Sequence, residues 1–181
     1  SNYTLPNIAG WDGQIGTTTL ADFRGKFDEQ SIWSSPQIVD LDRDGSPEVV
    51  VGTGNFFQDG RGEYIKVWNA DGSLRFQADT VGRVMSSPLI ADLDGNGSME
   101  IVATTTSGRV YGWSAGGQEL FSTIVMPFNS PGTPEDRPIP APPIAVDMNN
   151  DGALEILVSV GAQMVALDSQ GRQISALEES D

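Results

Sequence analysis

SSPQIVDLDRDGSPEVVVGT, residues 34–53, decides how this chain is read. An apolar run enters the acidic loop DLDRDGSPE, and a second, β-branched run leaves it. The same design returns as SSPLIADLDGNGSMEIVATT at 86–105 and as APPIAVDMNNDGALEILVSV at 141–160. The loops open on Asp40, Asp92 and Asp147, which sets the copies 52 and 55 residues apart. Each loop carries oxygen-bearing side chains at positions 1, 3, 5 and 9 and a glycine at position 6.

Working outward, each loop leads into an apolar strand: EVVVGT from Glu48, EIVATTT from Glu100 and EILVSV from Glu155. A third strand follows (YIKVWN, RVYGWS or QMVALD), then a turn at Gly72, Gly117 or Gly171, then a fourth strand (SLRFQA, QELFST or RQISAL). Four antiparallel strands at a period near fifty residues describe the blade of a β-propeller. No segment keeps a 3.6-residue apolar period, so helices are not expected. A single blade cannot bury both faces of its sheet, and the near-continuous apolar second strands fit sheets covered on both sides.

The expected fold is all-β, with about three and a half blades. Residues 5–30 read as a half blade, because IAGWDGQI around Trp11 is similar to the stretch around Trp113. Blade 1 spans 31–80, blade 2 spans 86–125 and blade 3 spans 141–178, with a proline-rich insertion at 126–140. An unfinished blade predicts a partial or open propeller, or a ring completed by other chains or segments. Open blade faces are association hazards.

Calcium takes 6–8 hard oxygen ligands at about 2.3–2.6 Å. Carboxylates at positions 1, 3 and 5 of a short loop curl around one centre, and the position-6 glycine permits the reversal. The expected ligands of loop 1 are Asp40, Asp42, Asp44, the Ser46 carbonyl and Glu48. In loop 2 they are Asp92, Asp94, Asn96, the Ser98 carbonyl and Glu100. In loop 3 they are Asp147, Asn149, Asp151, the Ala153 carbonyl and Glu155. An EF-hand needs an acid at position 12 followed by a helix. Position 12 is Val51, Ala103 or Val158, inside a β-branched run, so the loops are not EF-hands.

The net charge is -15, and ten of the 25 acidic residues lie in these loops. Three divalent ions would bring -15 to -9. Such acidity argues against nucleic acid and anionic membrane surfaces as partners. Histidine and cysteine are both absent, which removes thiolate sites and the commonest zinc ligand and general base. No stretch approaches the roughly 18 apolar residues of a membrane span. The opening SNYTLPNIAG lacks the basic and apolar regions of a signal peptide.

The repeats resemble FG-GAP/VCBS repeats, the calcium-binding blades of integrin-α-like propellers and of many bacterial secreted proteins. The DxDxDGxxE core, preceded by a small residue, proline and an apolar strand, matches 34–48, 86–100 and 141–155, and the resemblance covers about residues 31–177. It implies a propeller with calcium, at about three sites, in the hairpin between the first two strands of each blade. Asn96, Asn149 and Asn150 depart from the pattern and lower the charge of loops 2 and 3. Carboxylate count tunes affinity, so loop 1 is expected to bind tightest, partly offset by Arg43.

Blade 1 carries about seven extra residues around NFFQDGRGEY, where Phe56 and Phe57 are candidates for contact with a protein or glycan or for covering a blade edge. Trp11, Trp68 and Trp113 recur on third strands and are read as packing between blades, as is Trp33. These features predict a non-catalytic, extracellular or cell-surface segment for adhesion, contact or self-assembly. The alternative is part of a calcium-dependent propeller enzyme of the polysaccharide lyase type. The chain offers it only Lys26 and Lys66 among lysines and no paired acid–base residues outside the loops. A structural spacer in a larger surface protein is a third reading.

Overall fold

The computed structural model describes residues 31–32, 34–54, 62–125, 141–160 and 163–177. The half blade at 5–30, Trp11, Trp33, Phe56, Phe57 and the insertion 126–140 lie outside the described residues.

Thirteen strands are described, in three antiparallel sheets. The first holds β1 (Ser31–Ile32), β2 (Gln37–Val39), β3 (Glu48–Gly54), β4 (Tyr64–Trp68) and β5 (Leu74–Asp79). The second is a meander of β6 (Leu89–Ala91), β7 (Glu100–Thr104), β8 (Arg109–Ser114) and β9 (Glu119–Ile124). The third repeats it as β10 (Ile144–Val146), β11 (Glu155–Val160), β12 (Gln163–Leu167) and β13 (Gln173–Leu177). Among the described residues no helix is long and apolar enough to cross a membrane.

The extra strand of the first sheet is an interrupted inner strand, since β1 and β2 both pair with β3. Across the break, Ser34 Oγ accepts from the Gly52 N–H at 2.7 Å and donates to the Gly52 carbonyl at 3.1 Å. One side chain thereby replaces the missing rung of the ladder, which satisfies buried backbone groups that would otherwise be costly.

The sheets stack through two apolar layers. Val50, Ile65, Val67 and Val84 meet Ile101, Ala103, Tyr111 and Trp113 between blades 1 and 2. Val102, Val110, Phe121 and Val125 meet Ile156, Val158, Val165 and Leu167 between blades 2 and 3. β3 and β7 are buried along their whole lengths, as continuous apolar strands between two neighbours should be. Trp113 lies flat against Tyr111, with ring centroids 5.3 Å apart, inside the first layer.

The third-to-fourth-strand turns supply a seat for the preceding blade. At Gly117 a Cβ would stand 2.6 Å from the Phe76 ring, and at Gly171 2.3 Å from the Phe121 ring. Those glycines are required both by that approach and by φ of 86° and 75°. Each ring is therefore a wedge from one blade into the turn of the next. The outer face of blade 3 differs: Ile144, Val146 and Met148 are 53%, 38% and 49% exposed. Stacked sheets of four-stranded meander, joined by these layers, form a partial β-propeller of about three blades.

Candidate metal centres

The acidic loops connect the first and second strands of each blade, β2 to β3, β6 to β7 and β10 to β11. All three share one backbone path. Position 6 is left-handed at Gly45, Gly97 and Gly152, with φ of 92°, 93° and 92°. Position 4 is left-handed too, at Arg43, Gly95 and Asn150, with φ of 60°, 72° and 60°. Glycine and asparagine suit that conformation, while an arginine there costs roughly 1–2 kcal/mol. The sequence reading used position 6 and missed position 4, although glycine and asparagine in two copies were the signal.

The path is held by side-chain oxygens accepting backbone N–H bonds. Asp40 accepts from Asp44 and Gly45 at 3.0 and 2.9 Å, and Asp147 accepts from Asp151 and Gly152 at 3.2 and 3.1 Å. Asp92 Oδ2 accepts from Gly97 at 2.9 Å. The position-5 residues Asp44, Asn96 and Asp151 accept from the N–H of Ser46, Ser98 and Ala153 at 2.7, 2.7 and 2.9 Å. These bonds tie the backbone of position 7 to the side chain of position 5.

Position 9 closes each loop from the start of the second strand. Glu48, Glu100 and Glu155 are 2%, 6% and 5% exposed. In each, Oε2 accepts the N–H of loop position 2, from Leu41, Leu93 or Met148, at 2.8, 2.8 and 2.7 Å. Burial pushes the Glu100 carboxyl above its usual range; the Leu93 N–H opposes this, and the charges of Asp94 and Asp92 add to it.

The convergence of the acids differs between loops. In loop 1, one oxygen from each of Asp40, Asp42 and Asp44 lies within 4.8 Å of the others. In loop 2 the trio is Asp92, Asp94 and Glu100, again within 4.8 Å. Calcium–oxygen distances allow ligands on opposite sides of one ion to stand about 4.6–5.2 Å apart, so both trios have the span of a shared shell. Loop 3 gathers no such trio. Asn149 Nδ2 instead donates to Asp151 Oδ2 at 3.0 Å and to Glu155 Oε1 at 3.3 Å.

The donor set fits a hard cation. Asp92 Oδ1 is buried and has no hydrogen-bond partner, a costly state for a carboxylate oxygen unless a cation meets it. The expected ligands Asp40, Asp42, Asp44, Asp92, Asp94 and Glu100 are brought together, while Glu48 stands outside the loop 1 trio.

Among the described residues, two arginines reach the loops. Arg43 turns away from its own acids, and its Nη2 lies 3.6 Å from Asp92 Oδ2 in the neighbouring loop. Arg75, on β5, was not singled out from sequence. Its Nη2 lies 2.7 Å from Asp42 Oδ2 and its Nη1 3.5 Å from Glu48 Oε1. The side-chain hydrogen bond from Arg75 is the main reason the Asp42 carboxyl is held below its usual range. Loops 2 and 3 also touch, since the Leu154 N–H donates to the Leu93 carbonyl at 2.8 Å. The three loops therefore form a row.

A family model described as FG-GAP-like repeat matches residues 40–103 and again 92–158, and the chain belongs to that family. No curated protein sequence matches it. Among solved structures it is similar to the quinohemoprotein alcohol dehydrogenase from Comamonas testosteroni, at 15% identity and TM-score 0.59, over 84% of this chain and 29% of that one. It is also similar to BamB from Moraxella catarrhalis, at 19% identity and TM-score 0.52, over 81% of this chain and 36% of that one. A third is the V. cholerae biofilm matrix protein Bap1, at 19% identity and TM-score 0.52, over 83% of this chain and 32% of that one. These likenesses are of fold alone. The chain spans about a third of the length of each.

Proposed function

We propose that the chain is a non-catalytic, calcium-binding propeller segment that works outside the cell or at its surface, where a metal-stiffened row of loops presents contacts to a protein or glycan. The observation that carries this reading is loop 2, where Asp92, Asp94 and Glu100 converge and Asp92 Oδ1 is buried without a partner. The exposed Arg43 guanidinium, 3.6 Å from Asp92 Oδ2, offsets one charge of the three. The remaining carboxylates repel one another, and a divalent cation resolves the conflict.

The donors select the ion. The chain has no histidine or cysteine, so every side-chain ligand it offers a metal here is oxygen. That disfavours zinc and leaves magnesium and calcium. Magnesium binds through one or two carboxylates and keeps several waters, whereas loops with four side-chain oxygens and a carbonyl suit calcium. Sites tuned for millimolar calcium match an extracellular setting.

The test is metal content after dialysis against calcium, followed by calorimetric titration and thermal melting with and without chelator. Bound calcium, with a melting temperature that falls on chelation, is the expected result. A chain that retains no calcium and melts identically in excess chelator would overturn the reading.

A further inference from the structure

The three fourth strands share a device with a different residue in each copy. A β-bulge breaks the register between Val67 and Trp68, between Gly112 and Trp113, and between Ala166 and Leu167. The residue left unpaired opposite each bulge is Arg75, Leu120 or Ile174. Bulges re-aim side chains, and in two copies the result is an exposed apolar residue, with Leu120 48% and Ile174 54% exposed. In blade 1 the re-aimed side chain is a guanidinium that reaches back across 33 residues to Asp42.

Its position within loop 1 is specific. Arg75 takes an oxygen of Asp42 and faces Glu48 Oε1, whose other oxygen is committed to Leu41 N–H. Its Nε donates to the Ala115 carbonyl at 3.1 Å, in the third-to-fourth-strand turn of blade 2. Loop 2 has no such cation from its own fourth strand. The guanidinium that reaches it, Arg43, is 55% exposed and stands 3.6 Å from Asp92 Oδ2, against 22% and 2.7 Å from Asp42 Oδ2 for Arg75. There the closing glutamate joins the converging trio, as Glu48 does not in loop 1.

We propose that Arg75 is a built-in counter-cation of loop 1, which holds that loop in shape without metal, lowers its affinity for calcium below that of loop 2, and ties its state to the seam between blades 1 and 2. This rests on the calcium reading above and reverses the ranking that carboxylate count alone predicts. A metal drawing on Asp42 and Glu48 must share or displace the guanidinium. Displacement also releases Ala115.

The experiment uses the full chain with calcium as the only probe. Asp92→Asn and Asp147→Asn together disable loops 2 and 3, so that calorimetry reads loop 1 alone, with and without Arg75→Leu. Leucine is the residue that blade 2 carries at the equivalent bulge. The expected result is a gain in loop 1 affinity of about tenfold, the scale on which ligand charge tunes calcium sites. Unchanged or weaker binding would overturn the proposal and make Arg75 a positioning residue for Asp42.

A second arm needs no metal. In chelator, Arg75→Leu should lower the melting temperature, Arg75→Lys should lower it less, and adding Asp42→Asn to Arg75→Leu should restore part of the loss. Equal melting of all variants in chelator would also overturn the proposal. If the otherwise unaltered protein binds no calcium, the functional reading fails with the affinity claim, while the chelator arm still decides whether Arg75 neutralises the loop.

Discussion

Glu100→Gln should change the sign of its effect with calcium. The side chain is 6% exposed, and its Oε2 accepts from Leu93 N–H, a bond that an amide oxygen can keep. What the substitution removes is charge. A pair of unit charges 4.8 Å apart, the span of this trio, repels by about 1 kcal/mol with water-like screening and about 3 kcal/mol at an effective dielectric near 20. Asp94 is exposed, so the lower figure applies to its pair with Glu100, while the pair with Asp92, whose Oδ1 is buried, lies between the two. In chelator, Glu100→Gln should therefore melt at or slightly above the unaltered protein.

The pH dependence has a fixed direction. The folded carboxyl titrates above its unfolded value because of burial first, with Asp94 and Asp92 adding. Its contribution to stability is thus fully present below the unfolded pKa and is lost as pH rises through the raised folded pKa. In chelator the unaltered protein should lose stability across that window, and the glutamine variant should lose less. Calcium reverses the order. Saturation at 100 times the dissociation constant adds about 2.7 kcal/mol per site, or roughly 5–11 °C for a domain of this size. The variant should forfeit most of one such increment. Scanning calorimetry of both proteins, in calcium and in chelator, gives four melting temperatures. An equal deficit for the variant in both conditions would refute the argument, since it would make Glu100 a structural acceptor and nothing more.

Phe121→Ala removes the ring seated on Gly171 and should cost about 3–5 kcal/mol by urea denaturation; a loss below about 1 kcal/mol would show that the ring is not a wedge between blades. Asn150→Ala, at φ 60°, should destabilise by about 1 kcal/mol with calcium stoichiometry unchanged, and a neutral result would contradict the left-handed loop path. Ile144→Glu with Met148→Glu should abolish any concentration-dependent association seen by sedimentation, because those side chains form the exposed face of blade 3. Association that persists in the double variant would place the contact elsewhere.

The strands were legible because their signals are local. The second strands are apolar without interruption, and the DxDxDG loops with their turn glycines mark where each strand ends. What escaped the sequence depends on contacts across distance or on backbone detail. Ser34 reads as a polar residue before a proline, and only its pairing with Gly52 shows that it completes a broken strand. Arg75 is invisible to repeat comparison because the bulge position holds Arg, Leu and Ile in turn. Arg43 stands among the acids of its own loop in sequence, but its guanidinium lies 3.6 Å from Asp92 of the next loop, a contact that no local signal carries. The count of loop carboxylates was correct, yet it could not reveal that Asn149 spans Asp151 and Glu155 in loop 3.

The loops do more than hold acids, because position 2 joins the candidate metal site to the stacking of blades. Leu41 and Leu93 donate their N–H to the closing glutamates, and their side chains are fully buried in the two inter-blade layers. One residue therefore has its backbone in the loop and its side chain in the seam. Met148 makes the same backbone bond to Glu155, but its side chain is 49% exposed on the outer face of blade 3. The closing glutamate is thus in contact with position 2, and in loops 1 and 2 position 2 is in contact with the neighbouring blade. By this route a cation at loop 2 would stiffen the seam between blades 2 and 3, while the same event at loop 3 would end at the exposed Met148 side chain. Hydrogen exchange at the Leu93 and Met148 amides, with and without calcium, separates the two cases. Protection should spread from Leu93 into β11 and remain local at Met148, and equal spreading from both would break the link between loop and seam.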